Sequence, residues 1–196
     1  MLTYFNNILK TVSDSIQTLD EEQFRVLVDH CVECLNNGGK IVASGLGKNV
    51  PMCEKFVGTM NSLGMDARFL HTNTAVHGDL GMVAKKDIVL LLSKSGNTVE
   101  SVMLADYLKE RGTETWLLSF NKDSKLSKML EHQIQLTMAN EGDPWDIVPN
   151  NSTTIYLILL QGLAMQICNR KGITLDDFKV NHPGGGIGAK LRGETL

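Results

Sequence analysis

The most informative segment of this chain is Ile88-Val89-Leu90-Leu91-Leu92-Ser93-Lys94-Ser95-Gly96-Asn97-Thr98. Its first five residues form an unbroken aliphatic run, which is typical of a central parallel strand that helices cover on both faces. The residues after this run are small or polar, and they lead directly into a helical pattern over residues 98–111. A buried strand followed by a polar loop and a helix predicts an α/β protein.

The same alternation of short apolar segments and longer amphipathic segments extends along most of the chain. We predict strands at about residues 40–44, 66–70, 87–92, 115–120 and 133–137, and helices at about 50–63, 98–111, 124–130 and 152–170. Right-handed crossovers between five such strands imply a doubly wound parallel sheet. In sheets of this kind the ligand crevice lies at the carboxyl ends of the strands.

Residues 1–38 precede this alternation and predict a pair of helices. Apolar side chains recur at helical spacing in both segments: Phe5, Leu9, Val12, Ile16 and Leu19, then Phe24, Leu27, Val28, Cys31 and Leu35. Asp20 and Gln23 form a capping-box start for the second helix, and Gly38-Gly39 ends it. We expect this pair to pack on residues 39–196, so that the chain forms one domain.

Composition excludes several classes of protein. The 196 residues are 42% hydrophobic and 21% charged, which is enough for one domain with a substantial core. A net charge of −3 disfavours nucleic acids and anionic membranes as partners, because both carry negative charge. No apolar segment approaches the roughly 20 residues that span a bilayer, and no signal-type segment begins the chain. We therefore expect a cytoplasmic protein.

Cys31 and Cys34 form a Cys-x-x-Cys pair inside the predicted second helix, where Cys31 lies on the apolar face. A redox pair would be expected at a helix start after a strand, and a zinc site would need a second Cys or His pair at suitable spacing. We interpret both cysteines as structural, together with His30, His71 and His132. No metal ion and no cofactor is expected.

Two loops at predicted strand ends contain candidate binding residues. In Ser44-Gly45-Leu46-Gly47-Lys48-Asn49, glycines would let backbone N–H groups approach an anion, and Lys48 adds a positive charge. This loop lacks the Walker pattern G-x-x-x-x-G-K-[ST], and it is not the dinucleotide fingerprint G-x-G-x-x-G because Val50 stands in place of the third glycine and Pro51 follows. In the loop after the central strand, hydroxyl groups precede a helix N-terminus. That pattern suits either a phosphate dianion or a simple helix cap. We predict phosphate binding by Ser44, Asn49, Ser93, Ser95, Gly96, Asn97 and Thr98.

Five segments taken together resemble one family. They are Gly45-Leu46-Gly47-Lys48, His77-Gly78-Asp79-Leu80-Gly81-Met82, Ser93 to Thr98, Pro149 with Ser152-Thr153-Thr154, and His182-Pro183-Gly184-Gly185. Over residues 40–192 the chain resembles the sugar isomerase (SIS) fold, and within it the arabinose-5-phosphate isomerases of the KDO pathway. The resemblance implies a five-stranded, flavodoxin-like sheet. Asn49 and Val50 stand where the family has serine and glycine, and Lys94 and Asn97 depart from its SNSGET loop, which leaves substrate preference open.

This resemblance implies an aldose–ketose isomerase that interconverts D-arabinose 5-phosphate and D-ribulose 5-phosphate through a cis-enediol, supplying KDO for lipopolysaccharide or capsule. By the same resemblance, Glu141 is the proton-transfer base and Glu100 an orienting or second acid/base group. Partial burial could raise the pKa of Glu141 into the range of a general base. Lys48 would stabilise the enediolate. His182, before a glycine-rich and flexible turn, would open the sugar ring, and His77 would contact a hydroxyl group, or the reverse.

Two alternatives remain open at this stage. The first is a non-catalytic SIS sensor of sugar phosphates, and the second is an isomerase for another phosphosugar. The segment 152–170 predicts a helix that is apolar on nearly all sides, which indicates a homo-oligomer. The resemblance implies a tetramer in which a neighbour supplies some site residues. Since the sequence ends at Leu196, we expect a short form without the cystathionine-β-synthase-type modules that relatives often have.

Overall fold

The computed structural model describes residues 1–194 and contains one five-stranded parallel sheet. The strands are β1 (Ile41–Gly45), β2 (Ala67–His71), β3 (Ile88–Leu92), β4 (Glu114–Ser119) and β5 (His132–Gln135). Their order is β2-β1-β3-β4-β5, and all neighbours are parallel. The predicted doubly wound α/β sheet is confirmed, and each predicted strand is present to within two residues.

Eight α-helices occur in the described residues. They are α1 (Leu2–Ile16), α2 (Glu21–Asn36), α3 (Val50–Ser62), α4 (Val99–Arg111), α5 (Lys125–Met129), α6 (Asn151–Lys171), α7 (Leu175–Val180) and α8 (Gly185–Leu191). The sequence patterns predicted all except the last two. A capping box between Thr174 and Asp177 starts α7. The start of α8 is rich in glycine, and because glycine has a low helix propensity the sequence pattern does not predict a helix there.

Helices cover both faces of the sheet, which explains why every residue of β1 and β3 is buried. Ile88, Leu90 and Leu92 face a core formed with α1, α2, α3 and α6. Val89 and Leu91 face a second core formed with α4 and α5. Because alternate side chains of a strand point to opposite faces, the unbroken aliphatic run of β3 belongs to both cores.

The N-terminal helices α1 and α2 pack against α6 on the first of these faces. Asp20 caps α2 by accepting a hydrogen bond of 3.0 Å from the amide of Gln23. The division into residues 1–38 and 39–196 stays a prediction, and Thr195 and Leu196 lie outside the described residues. Among residues 1–194, no helix has both the length and the apolar character to cross a membrane.

The four cysteines are free thiols. Cys31 is fully buried in the core, and burial raises the pKa of its thiol well above the ordinary value. Burial also raises the pKa of the Cys34 thiol to about 11. Both groups are therefore protonated at neutral pH, in agreement with a structural interpretation of the Cys-x-x-Cys pair.

The connections of β1 and β3 create a crevice at the carboxyl edge of the sheet. From β1 the chain passes to α3 on one face, while from β3 it passes to α4 on the other face. Two adjacent strands whose connections diverge in this way form a topological switch point, where α/β proteins bind ligands. The loops after β1 and β3, both predicted to bind a ligand, therefore meet at one place.

Candidate active site

The loop after β3 is held in place by its neighbours. The Ser93 amide donates to the Leu118 carbonyl at 3.1 Å, and the Phe120 amide donates to the Lys94 carbonyl at 3.2 Å. Gly96 has a φ of +62°, and a Cβ atom there would lie 2.1 Å from Oγ of Ser124. Glycine alone fits this conformation and this space, so any side chain at position 96 would shift the loop or Ser124.

The Asn97 side chain forms hydrogen bonds within the protein and stabilises the loop. Its side chain donates to the Ser95 carbonyl at 3.0 Å and accepts from the Lys125 amide at 2.9 Å. Its amide donates to Oγ of Ser95 at 3.2 Å. These contacts join the loop to the start of α5. A direct contact between Asn97 and a ligand stays a prediction.

Unpaired donors at the crevice come from Ser93 and from the start of α4. Thr98 is the N-cap of α4 and makes no capping hydrogen bond through its side chain, so that side chain leaves the first-turn amides free. The Ser93 hydroxyl is buried and has no hydrogen-bond partner within residues 1–194. A helix N-terminus with free N–H groups attracts an anion through both hydrogen bonds and the helix dipole.

The loop after β1 faces the same crevice. Lys48 is exposed in a 3₁₀ turn, Gly47–Asn49, that precedes α3. The Asn49 side chain donates to the carbonyl of Leu92 at 3.2 Å, which joins the ends of β1 and β3. Ser44 is buried, and its hydroxyl shares a hydrogen bond of 3.1 Å with Thr72. Ser44 and Asn49 thus form hydrogen bonds within the protein. A contact of either residue with phosphate stays a prediction.

Glu141 is fully buried and accepts four hydrogen bonds. Its Oε1 atom lies 2.6 Å from Lys94 Nζ and accepts from Ser152 Oγ at 2.6 Å. Its Oε2 atom accepts from the amides of Asn150 and Ser152 at 3.0 and 2.9 Å. The carboxylate therefore joins the start of α6 to the loop after β3.

The raised pKa expected for Glu141 is wrong. Burial by itself raises the pKa of this carboxyl, but the Lys94 ammonium, the Ser152 hydroxyl and two backbone amides outweigh burial, and the pKa lies below its ordinary value. This pairing was not predicted from the sequence. The one sign of it in the sequence is the lysine at position 94, where the family pattern has asparagine.

Glu100 and His77 lie at the crevice side of the molecule. Glu100 is half-buried in the first turn of α4. His77 is exposed at the end of a 3₁₀ turn, Ala75–His77, that follows β2, the neighbour of β1 in the sheet. The carboxyl ends of β1, β2 and β3 thus position Lys48, His77, Glu100 and the phosphate loop along one edge.

His182 lies beside the end of α3 that is farther from Lys48. Its Nε2 atom is 2.9 Å from Oγ of Ser62, the last residue of α3, while Lys48 precedes the first. The 13 residues of α3 span about 20 Å. The His182 ring also stacks on Phe178, with centroids 3.9 Å apart, and the glycines after it begin α8. The expected flexible turn is wrong, because packing holds this histidine in place.

Comparison with known proteins identifies the family of this chain. Residues 35–164 match the SIS domain family, and the chain belongs to that family. It is 33% identical over 193 residues to the arabinose 5-phosphate isomerase KdsD of Pseudomonas aeruginosa, covering 97% of this chain and 59% of that protein. It is 31% identical over 195 residues to the arabinose 5-phosphate isomerase KpsF of Escherichia coli, covering 97% of this chain and 59% of that protein.

The chain thus spans about 59% of the length of the curated relatives that it matches. One solved structure, that of E. coli CFT073 c3406 in complex with arabinose 5-phosphate, aligns over nearly its whole length. The TM-score is 0.85 and the identity is 32%, covering 92% of this chain and 94% of that one.

Proposed function

We propose that this protein is an aldose–ketose isomerase that interconverts D-arabinose 5-phosphate and D-ribulose 5-phosphate. Membership of the SIS family, the two similar isomerases and the 32% identity to a protein solved with arabinose 5-phosphate support this proposal. The observation that carries it is the crevice itself, where a loop with an unpaired, buried hydroxyl lies beside a buried carboxylate. On the resemblance alone, we place the reaction before KDO synthesis for lipopolysaccharide or capsule, in the cytoplasm.

The phosphate group would bind at the start of α4. There the amides of the first turn, the Ser93 and Thr98 hydroxyls and the exposed Ser95 can donate to its oxygens. Gly96 lets the backbone approach the ligand without a side chain in the way. Holding the phosphate fixes the distant carbons C1 and C2, so that a proton can move between them.

Proton transfer then requires a base near C1 and C2. In the open-chain aldose, the Glu141 carboxylate takes the proton from C2 while O1 gains a proton from the second acid/base group, Glu100, which forms the cis-enediol. Glu100 then takes the O2 proton, the carbonyl forms at C2, and Glu141 returns its proton to C1. Lys48 stabilises the negative charge that develops on the oxygens, and Glu100 orients the sugar hydroxyls.

Lys94 gives this mechanism a means of activating Glu141. A phosphate dianion bound in the loop that carries Lys94 would compete with Glu141 for the ammonium group, which now lies 2.6 Å from Oε1 of Glu141. If the ammonium moves to the phosphate, Glu141 loses a contact that lowers its pKa, while its burial still raises that pKa. Substrate binding would thus turn a weakly basic carboxylate into a stronger base.

Ring opening by His182 requires a second copy of the chain, because within one chain α3 separates His182 from Lys48 by its whole length. We propose a homo-oligomer, a tetramer by resemblance, in which His182 of one copy reaches the crevice of another. Exposed apolar side chains on α6, α7 and α8 support such contacts; they include Ile158, Met165, Val180 and Ile187.

One observation favours a second candidate, a sugar-phosphate sensor without catalysis. The Glu141 carboxylate has an ion-pair or hydrogen-bond partner at each oxygen, as would suit a protein that binds a sugar phosphate and does not react with it.

An assay of the purified protein with phosphorylated pentoses, hexoses and heptoses separates the candidates. We expect conversion of D-arabinose 5-phosphate with the highest kcat/KM. Binding of the sugars without turnover would support the sensor. A higher kcat/KM with another sugar phosphate would show that the protein is an isomerase of that sugar instead.

A further inference from the structure

Three possible metal ligands converge at the amino end of the sheet, far from the crevice. They are His30 on α2, Glu114 at the first position of β4 and His132 at the first position of β5. One ligand atom from each lies within 4.8 Å of the other two. His30 Nδ1 is 2.7 Å from Oε1 of Glu114, and all three side chains are half-buried.

Trp116 orients two of these three groups. Its indole N–H donates to Oε1 of Glu114 at 2.6 Å, and its ring stacks on His132 with centroids 4.8 Å apart. The stacking follows from the register of the sheet, in which Trp116 lies opposite His132. Metal ligands in proteins commonly have such outer contacts, which hold a carboxylate or imidazole in position before the ion arrives.

Space and access for an ion are also present. A cavity of about 300 Å³ lies beside the cluster, and the charged and metal-ligating side chains that line it are His30, Glu33, Cys34, Lys85, Lys86, Asp87 and Glu114. The cavity can hold the water molecules that complete a coordination shell. Cys34 lies outside the cluster of three ligand atoms, so the donor set is two imidazoles and one carboxylate.

We propose that His30, Glu114 and His132 bind one divalent transition-metal ion, with Zn²⁺ the best match. Two histidines and one carboxylate form an established Zn²⁺ donor set, with water in the fourth position. Tetrahedral ligands about 2.0–2.1 Å from zinc lie about 3.3 Å apart, and the spacings here are 2.7 Å between His30 and Glu114 and at most 4.8 Å for the other two pairs. The ion would join α2 to β4 and β5.

This site is distinct from the proposed reaction site. The six residues of β4 place the cluster about 20 Å from the carboxyl edge of the sheet. The ion is therefore expected to stabilise the fold rather than to contact the sugar. The proposal stands or fails independently of the isomerase activity.

The test is a Zn²⁺ titration of chelator-treated full-length protein, followed by competition with a chromogenic chelator and by tryptophan fluorescence. The Trp145→Phe variant leaves Trp116 as the single fluorescent tryptophan. We expect one ion per chain, a change in Trp116 emission and a higher Tm with excess Zn²⁺. Glu114→Gln, His30→Ala and His132→Ala should each weaken binding at least tenfold.

Glu33→Gln is the matched control, because Glu33 lines the same cavity and its replacement removes the same charge. It should bind Zn²⁺ as the wild type does. Equal losses in Glu33→Gln and Glu114→Gln would indicate diffuse attraction and overturn the proposal. The proposal would also be overturned if the wild type bound no Zn²⁺, or if Zn²⁺ binding were lost only in His77→Ala, a variant at the opposite edge of the sheet. Circular dichroism of each metal-free variant, with His132→Gln as a milder substitution, separates lost ligation from lost folding.

Discussion

Nζ of Lys94 lies 2.6 Å from Oε1 of Glu141, and this ion pair joins the loop after β3 to the start of α6. The pair is asymmetric, since the Lys94 side chain is 42% exposed and that of Glu141 is 0% exposed. Removing the lysine leaves a buried negative charge, whereas removing the carboxylate leaves a cation that water can solvate. The two halves of the pair should therefore respond differently to mutation.

Replacing Lys94 tests this asymmetry. Lys94→Met should reduce the free energy of unfolding by about 1–3 kcal/mol, because a buried charge loses its counterion but keeps three other hydrogen bonds. Lys94→Arg keeps the cation and should stay close to the wild type. Urea denaturation measures both variants. A Lys94→Met protein as stable as the wild type would show that the ion pair adds nothing to folding.

Acid should destabilise the protein through Glu141. Its pKa is lowered in the folded state from an ordinary value of 4.5, so the unfolded state binds more protons as the solution is acidified. The stabilisation is complete above the unfolded-state pKa and is lost as the pH falls through the lower folded-state pKa, below about pH 5. Glu141→Gln should flatten the dependence of unfolding free energy on pH in this range, while Lys94→Arg should keep it. Equal slopes for wild type and Glu141→Gln would contradict the assignment.

Gly96→Ala should damage the phosphate loop. The new Cβ would lie 2.1 Å from Ser124 Oγ at a φ of +62°, so either the loop or α5 must shift. We expect a loss of about 1–3 kcal/mol of stability from the strained backbone and a KM raised about tenfold or more. Gly58→Ala is the matched control, because no atom lies within 4 Å of the place that its new Cβ would take, in the middle of α3. Steady-state kinetics with both variants checks the prediction, which an unchanged KM in Gly96→Ala would refute.

Lys48→Ala should reduce turnover and leave folding intact. Lys48 is exposed, so its loss costs little packing, but its charge is proposed to stabilise the enediolate. Loss of one such group lowers kcat by about 10²–10³. Lys55→Ala removes an exposed lysine of α3 and should keep wild-type kcat. The measurements are the Tm and the kcat of both variants. A wild-type kcat in Lys48→Ala would remove this lysine from the mechanism.

Mixing two inactive variants tests whether His182 acts in a neighbouring copy. If each site combines Glu141 of one chain with His182 of another, equal mixtures of Glu141→Gln and His182→Ala should regain about a quarter of wild-type activity after subunit exchange. Glu141→Gln mixed with Lys48→Ala should regain none, because both residues belong to the same chain's crevice. Activity after refolding the mixtures together is the measurement. No recovery in the first mixture would place His182 outside the shared site.

The sheet was predictable because its signals are local. The aliphatic run of β3 and the helical stripes of α1 to α4 need only neighbouring residues for their interpretation. The carboxyl-edge position of Lys48, Ser93 and Glu100 follows from the same pattern, since loops after parallel strands share one edge. Helix α8 was not predicted because its glycines have low helix propensity. Packing of Gly188 against the backbone of residues 182–183 offsets this low propensity in the folded protein.

The sequence by itself determined the fold class, the loops at the switch point and the SIS family to which this chain belongs. Only the tertiary structure decided the charge state of Glu141, because its four donors come from residues 94, 150 and 152. It also decided the place of His182, and it brought residues 30, 114 and 132 into one cluster. The physical reason is that a pKa, a ligand set or a shared site depends on distances in space. Local hydrophobic periodicity specifies strands and helices but not the side chains that meet once those elements have packed.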